Sequence, residues 1–432
     1  MKKYDTYKDS GNQWIGQVPE HWEILPIKYC AELFTGNSIS DRDKENYLDS
    51  IDAIPYIATK DINAQTLLAD YENGMYTKKE DASFKIASKG STLLCIEGGS
   101  AGRKKTYLTE DVSFVNKLCC FTAKDNMSGK YLYYYINSNE FVETFNNHIT
   151  GLIGGVSLSS LVNFNSPLPP LSEQQAIVEF LDKKTGQIDQ SIALLETQKT
   201  DLQAYRQALI TETVTKGLNP SAPMKDSGIQ WIGEIPAGWK TSKLKYISKF
   251  INGFAFASNL FSPDEGCKVI RIGDICQTID YNSCIRAKID ASVVGQYRIH
   301  ENDVLVAMSG ATTGKSCLVN STEEAYINQR VGIIRSPSYK FIHYMLNIPS
   351  FYQYIMLNNA GSAQPNISST AIEDYQIPLP PLSEQQAIVD YLDKKTSDID
   401  AALTQIDTQI ADLQAYRTAL ISEAVTGKID VR

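Results

Sequence analysis

Apolar residues return at every seventh position along two stretches of the chain. Ile188, Leu195, Leu202 and Leu209 form one column, and Ile399, Ile406, Leu413 and Leu420 form its copy. Ile192 in the first stretch, and Leu403 and Ile410 in the second, supply the intervening seam. A sustained seven-residue period predicts a coiled-coil-like seam between long helices rather than a general amphipathic face. Lys199, aligned with Ile410, and the paired Arg206 and Arg417 interrupt that seam, which either fixes register or marks where the pair meets another chain. Both stretches begin alike. Pro-Pro imposes an extended entry, Ser172 and Ser383 stand at the expected N-cap, and Gln175 and Gln386 complete an S-x-x-Q capping box. Glu173 and Glu384 fall in the first turn, where the helix dipole favours a carboxylate. From Ser172 to about Thr215, one continuous helix measures ~65 Å at ~1.5 Å per residue.

The two periodic stretches are copies of one sequence. Leu168–Leu218 and Leu379–Ile429 lie 211 positions apart, and 32 of their 51 aligned residues are identical without a gap. A shorter echo precedes each copy, KDSGNQWIGQVPEHW at Lys8–Trp22 and KDSGIQWIGEIPAGW at Lys225–Trp239. Its tryptophans Trp14 and Trp231 are expected to pack against their own domains. The intervening segments align only in patches, so the order is insert, helix, insert, helix. This predicts domains at 1–167 and 219–378, joined by helices at 168–218 and 379–432. Because the second helix must return along the first, the pair is expected to be antiparallel, with the inserts at opposite ends about an approximate two-fold axis. The fold class is therefore α+β: two α/β domains separated by two long antiparallel coiled-coil-like helices.

Each insert holds a short apolar strand followed by a glycine-rich loop, STLLCIEGGSAGRKK at 91–105 and DVLVAMSGATTGKSC at 303–317. The second resembles a nucleotide-binding P-loop, but that motif needs four residues between its glycines, and Gly310 and Gly314 enclose three. The first lacks the Gly-Lys-Ser/Thr ending. Glycine amides and flanking cations suit a phosphate backbone instead. The candidate contacts are Gly99, Ser100, Gly102, Arg103, Lys104 and Lys105 in the first insert, and Ser309, Gly310, Thr312, Thr313 and Lys315 in the second. A plain β-turn with incidental basic residues is the alternative for either loop, and the recurrence of the loop after a strand in both inserts weighs against it. Downstream, Asn116 in FVNKLCC is echoed by Asn328 in YINQRVG, and Asn328, Gln329 and Arg330 carry side-chain types that read base edges or serve as structural hydrogen-bonders. The aromatic runs YLYYY at 131–135 and FAF at 254–256 read as core.

Composition bounds the rest. At 432 residues the chain calls for more than one domain. Its net charge of −9 argues against nucleic acid only superficially, because the two repeats supply −6 of it. The first 14 residues are basic without an apolar stretch behind them, so no secretory signal is expected, and no apolar run suits a membrane. Eight cysteines without regular spacing suggest reduced thiols in the cytoplasm, and four scattered histidines offer no metal cluster. No amino-methyltransferase tetrapeptide, cofactor-binding glycine motif or nuclease spacing of acids and lysine is found, so no catalytic residue and no metal is expected.

The KDSGxxWIGxxPxxW openings, the PLPPLSEQQAIVxxLDKKT helix starts, the DLQAYRxALIxExVTxG helix ends and LVAMSGATTGK at 305–315 together resemble the specificity (S) subunit of type I restriction–modification enzymes, over essentially the whole length. The resemblance implies that each insert is a target recognition domain reading one half of an asymmetric, bipartite site in double-stranded DNA. It implies that the repeated helices dock two modification (methyltransferase) subunits, for which Tyr205, Arg206, Tyr416 and Arg417 are the candidate contacts. S-adenosylmethionine, ATP and magnesium would belong to the modification and restriction/translocase subunits, and this chain would be non-catalytic. CIEGGSAGRKK departs from the usual SGATTGK form. Two alternatives stay open: the recognition subunit of a combined type II restriction–methylation enzyme, and a scaffold that binds protein rather than DNA.

Overall fold

The computed structural model describes the whole chain except Met1, Leu152, Ile153, Gln277 and residues 359–364. The chain divides into two units, Met1–Glu196 with Asp407–Arg432, and Thr197–Ile406. Two long helices, Leu171–Lys216 of 46 residues and Leu382–Val425 of 44, each contribute one end to either unit.

Within each unit the helix ends pair antiparallel. In the first, Glu173 near the start of one helix meets Arg432 beyond the end of the other at 3.3 Å, and Asp189 meets Arg417 at 3.2 Å. In the second, Arg206 meets Asp400 at 3.2 Å, and Ile210 and Val214 share a core with Ile388, Val389 and Leu392. Of the heptad columns, Ile188, Ile399, Ile406 and Leu420 are buried, while Leu195, Leu202, Leu209 and Leu413 are half-buried. Leaving water is the main term that holds such a seam together.

The predicted capping boxes do not form. Leu171 and Leu382 are already helical, and the carbonyls of Pro170 and Pro381 accept the first amide bonds, from Glu173 and Gln174 and from Glu384 and Gln385. Proline presents an extended residue with a free carbonyl at the helix mouth, so the helix starts before the serine can cap it. Gln175 and Gln386 instead donate one turn onward, to Glu179 at 2.9 Å and Asp390 at 2.8 Å.

The first-turn glutamates do more than meet a dipole. Glu173 accepts from Trp22 Nε1 at 3.0 Å and Tyr4 Oη at 3.1 Å, with His21 Nε2 at 2.7 Å. Burial opposes its ionisation, but bonds from His21, Trp22 and Tyr4 outweigh it and hold the carboxyl below its ordinary pKa. Glu384 accepts from Trp239 Nε1 at 2.9 Å. The short echo thus delivers a buried indole onto each helix start, through the Trp22 and Trp239 that close it. Trp231 does pack inward, with its ring 5.0 Å from that of Tyr354, but Trp14 is 40% exposed.

Both units carry the same antiparallel sheet, and each has a second sheet that holds one parallel pair. In the first, Ala31–Thr35, Leu118–Ala123, Thr92–Cys95 and Lys105–Tyr107 form an antiparallel sheet, and Ala53–Ile57 runs parallel to Val112–Phe114 in the other. In the second, Lys249–Asn252, Val331–Arg335, Val304–Ala307 and Ser316–Leu318 match the former, and Cys267–Ile270 runs parallel to Ala325–Ile327. A helix follows each antiparallel sheet, Gly129–Ile136 or Tyr339–Leu346. It docks on a long helix through an identical cluster: Lys130 and Tyr134 meet Asp182 at 2.8 and 2.6 Å, and Lys340 and Tyr344 meet Asp393 at 2.5 and 2.8 Å. The repeated Asp-Lys-Lys-Thr segment therefore fixes each domain to its helix.

Candidate nucleic-acid interface

Each glycine-rich loop closes a hairpin between two antiparallel strands. Gly102 and Gly314 both return an amide to the preceding strand at 2.8 Å, to Cys95 O and Ala307 O. Their φ values are +73° and +85°, and a Cβ would meet the Phe145 ring at 2.8 Å or Ile355 at 2.3 Å, so only glycine fits. A strand rather than a helix follows each loop, so a phosphate here finds no helix N-terminus of the P-loop kind.

A second loop, which holds none of the predicted contacts, is stitched to each hairpin. In the first unit Glu97 pairs with Gly155, and the Val156 amide donates to Ile96 O at 2.9 Å. In the second, Ser309 pairs with Asn366 and the Gly310 amide donates to Pro365 O at 2.9 Å. The signal was present: both loops precede a short helix capped by serine, Ser157 in GVSLSS and Ser368 in PNISST.

The predicted residues separate around this frame. Gly99 is exposed and Ser100 half-buried at the first hairpin's tip, and the exposed Arg103 donates to Gly99 O. Lys104 donates to Thr59 O at 2.7 Å. Lys105 turns inward, donating to Ile136 O at 2.8 Å, and burial pushes its pKa down to about 7. The exposed Asn116 accepts from Ser38 Oγ at 2.7 Å.

In the second unit Thr312 donates to Ile272 O at 3.1 Å, and the buried Thr313 donates to Gly310 O at 2.7 Å and Pro365 O at 3.0 Å. These threonines brace the loops. Asn328 is half-buried, Gln329 and Arg330 are exposed, and Arg330 donates to Asn366 Oδ1 at 3.5 Å. Ser309, Gly310, Thr313 and Arg330 thus gather around Pro365–Asn366. Lys315 does not join them. It opens onto a cavity of about 490 Å³ shared with Arg206, His343, Asn347 and Asp400.

Tyr205 and Tyr416, offered as docking residues, are 53% and 47% exposed and stand on the outer faces of the helices. Arg206 and Arg417 are half-buried and spend their charge on the neighbouring helix of their own unit.

Two sheet-and-hairpin recognition frames of one design, mounted on a repeated helix pair, define a duplicated binding module. The profile of the type I restriction modification DNA specificity domain matches residues 19–203 and again 236–411, and the chain belongs to that family. Similar curated proteins include the type I restriction enzyme MjaVIII specificity subunit of Methanocaldococcus jannaschii, 24% identical over 96% of this chain and 95% of that protein. The EcoKI specificity subunit of Escherichia coli is 22% identical over 96% of this chain and 90% of that protein. A solved chain from a study of assembly and conformational transition in the type I R-M system covers 95% of this chain and 99% of its own, with 17% identity and a TM-score of 0.73. The HsdS subunit from Thermoanaerobacter tengcongensis covers 95% of this chain and 98% of its own, with 18% identity and a TM-score of 0.52. These likenesses support the fold. No helix among the described residues is long and apolar enough to cross a membrane.

Proposed function

We propose that each unit reads one half of an asymmetric, bipartite DNA site, and that the repeated helices hold two methyltransferase subunits beside it. The chain itself would be non-catalytic, with S-adenosylmethionine, ATP and magnesium handled by the modification and restriction subunits in the cytoplasm. The observation that carries this reading is one hairpin frame presenting two chemistries. The first unit offers Glu97, Arg103, Asn116 and Lys117, while the second offers Ser309, Gln329, Arg330 and Asn366. Side chains of these types discriminate base edges, and backbone amides and cations secure register on the phosphates. Frames alike in backbone and unlike in side chains are what two readers of different sequences require.

The test is methylated-motif sequencing of a host that expresses the chain with its modification subunit. Replacing residues 246–377 by another recognition domain should alter one half-site and leave the other intact. One extra heptad in both long helices should change the spacer and neither half-site. A swap that altered both halves, or a wild-type complex without a bipartite motif, would refute the proposal.

A further inference from the structure

The first unit carries a polar recess beside its hairpin. The cavity measures about 540 Å³, and Thr35, Glu97, Asn116, Thr150, Gly154 and Ser157 contribute to its wall. Glu97 is the one charged residue among the described residues that line it. Its carboxylate is exposed, and none of the hydrogen bonds or ion pairs among the described residues engages it. A lone carboxylate on a face that meets phosphates is costly unless a donor answers it. The exposed Arg103 and Lys117 nearby in the chain offset that cost along the backbone.

Asn116 supplies the complementary half. Its Oδ1 already accepts from Ser38 Oγ at 2.7 Å, which leaves the amide nitrogen to donate. The recess therefore presents an acceptor from Glu97 and a donor from Asn116. In the major groove, adenine shows the reverse pair on one base, an amino donor at N6 beside an acceptor at N7. Guanine shows two acceptors and thymine an acceptor with a methyl group, so neither answers a carboxylate; the N4 amino group of cytosine does, but that base shows no acceptor beside it for Asn116. In the second unit the position of Glu97 is taken by Ser309, which is bridged to Asn366 and uncharged.

We propose that Glu97 and Asn116 read one adenine in the half-site of the first unit, Glu97 accepting from N6 and Asn116 donating to N7. The assignment rests on the DNA-reading function proposed above and names the base that this site takes. The experiment uses the purified complex with its modification subunit. Methylation rates are compared on duplexes in which each pair of the wild-type motif is replaced in turn.

E97A should lose about 10- to 100-fold of its discrimination at one A·T pair of the first half-site, the scale of one good base contact. The second half-site should be untouched, and the thermal midpoint should not move because the side chain is exposed. E97Q should retain part of the discrimination, because its carbonyl oxygen still accepts. Unchanged discrimination at every position, relaxation at a G·C pair, or relaxation in the second half-site would overturn the assignment. A wild-type complex lacking any bipartite motif would instead overturn the function on which it rests, so the two failures are distinguishable.

Discussion

Arg417 Nε lies 3.2 Å from Asp189 Oδ1, a contact between the two long helices inside the first unit. One repeat away, Arg206 Nε lies 3.2 Å from Asp400 Oδ1 inside the second. All four residues belong to the identical part of the repeat, so the duplication kept a reciprocal charge clasp. In the first unit the Arg417 guanidinium also stands beside the Tyr133 hydroxyl. The arginines that interrupt the heptad pattern therefore each meet an aspartate of the neighbouring helix.

A half-exposed pair of this kind is worth up to about 1 kcal/mol. R417E sets two carboxylates face to face and should lower the thermal midpoint by a few degrees. D189R combined with R417E reverses the clasp and should recover most of that loss. Assembly with the modification subunit, followed on a sizing column, should track the midpoint across these variants. Recovery of stability without recovery of assembly would mean that the arginine itself touches the partner.

Two cations of the candidate interface separate structure from recognition. Lys105 is buried with its amine on the carbonyl of Ile136, whereas Arg330 is exposed beside Asn366. K105A should destabilise the first unit by about 1–3 kcal/mol, the cost of stranding a buried polar group, without changing the salt dependence of DNA binding. R330A should leave unfolding unchanged and weaken discrimination in the second half-site alone. Binding isotherms at two salt concentrations, alongside denaturation curves, decide both. A change of specificity in K105A would sink the division of roles.

Much of this was legible in the chain because repetition and periodicity are sequence properties. The seven-residue columns at Ile188 and Ile399, the prolines before Leu171 and Leu382, and the glycines at 102 and 314 each impose a local geometry that residue type alone dictates. What was not legible depends on which distant segment arrives. Nothing local says that Trp22 rather than Trp14 reaches Glu173, or that Lys105 turns inward while Arg103 turns out. The serine caps failed for a local reason, since the preceding proline carbonyl accepts the first amides and starts the helix one residue before the serine. The second loop of each site was hidden because Gly155 and Asn366 meet the hairpins only through tertiary bridges.

His343 stands where the first unit has Tyr133, each just before the tyrosine that docks on the long helix. The smaller ring lines the cavity of about 490 Å³ with Arg206 and Asn347. Burial first, and the Arg206 charge second, push its pKa down to about 4, with Asp393 opposing. Above pH ~6.5 the imidazole is neutral in both folded and unfolded chains, so the folded state loses nothing. As the pH falls toward 4, the unfolded chain takes a proton that the fold refuses, and stability drains by up to about 3 kcal/mol. From pH 7 to pH 5, the protection of the Tyr339–Leu346 amides relative to the unfolded chain should therefore fall in the wild type. H343Y should abolish that trend and, by filling the cavity and reaching Arg206, add roughly 0.5–2 kcal/mol at pH 7. Equal protection of this helix at both pH values in the wild type would show that His343 is not the titrating group.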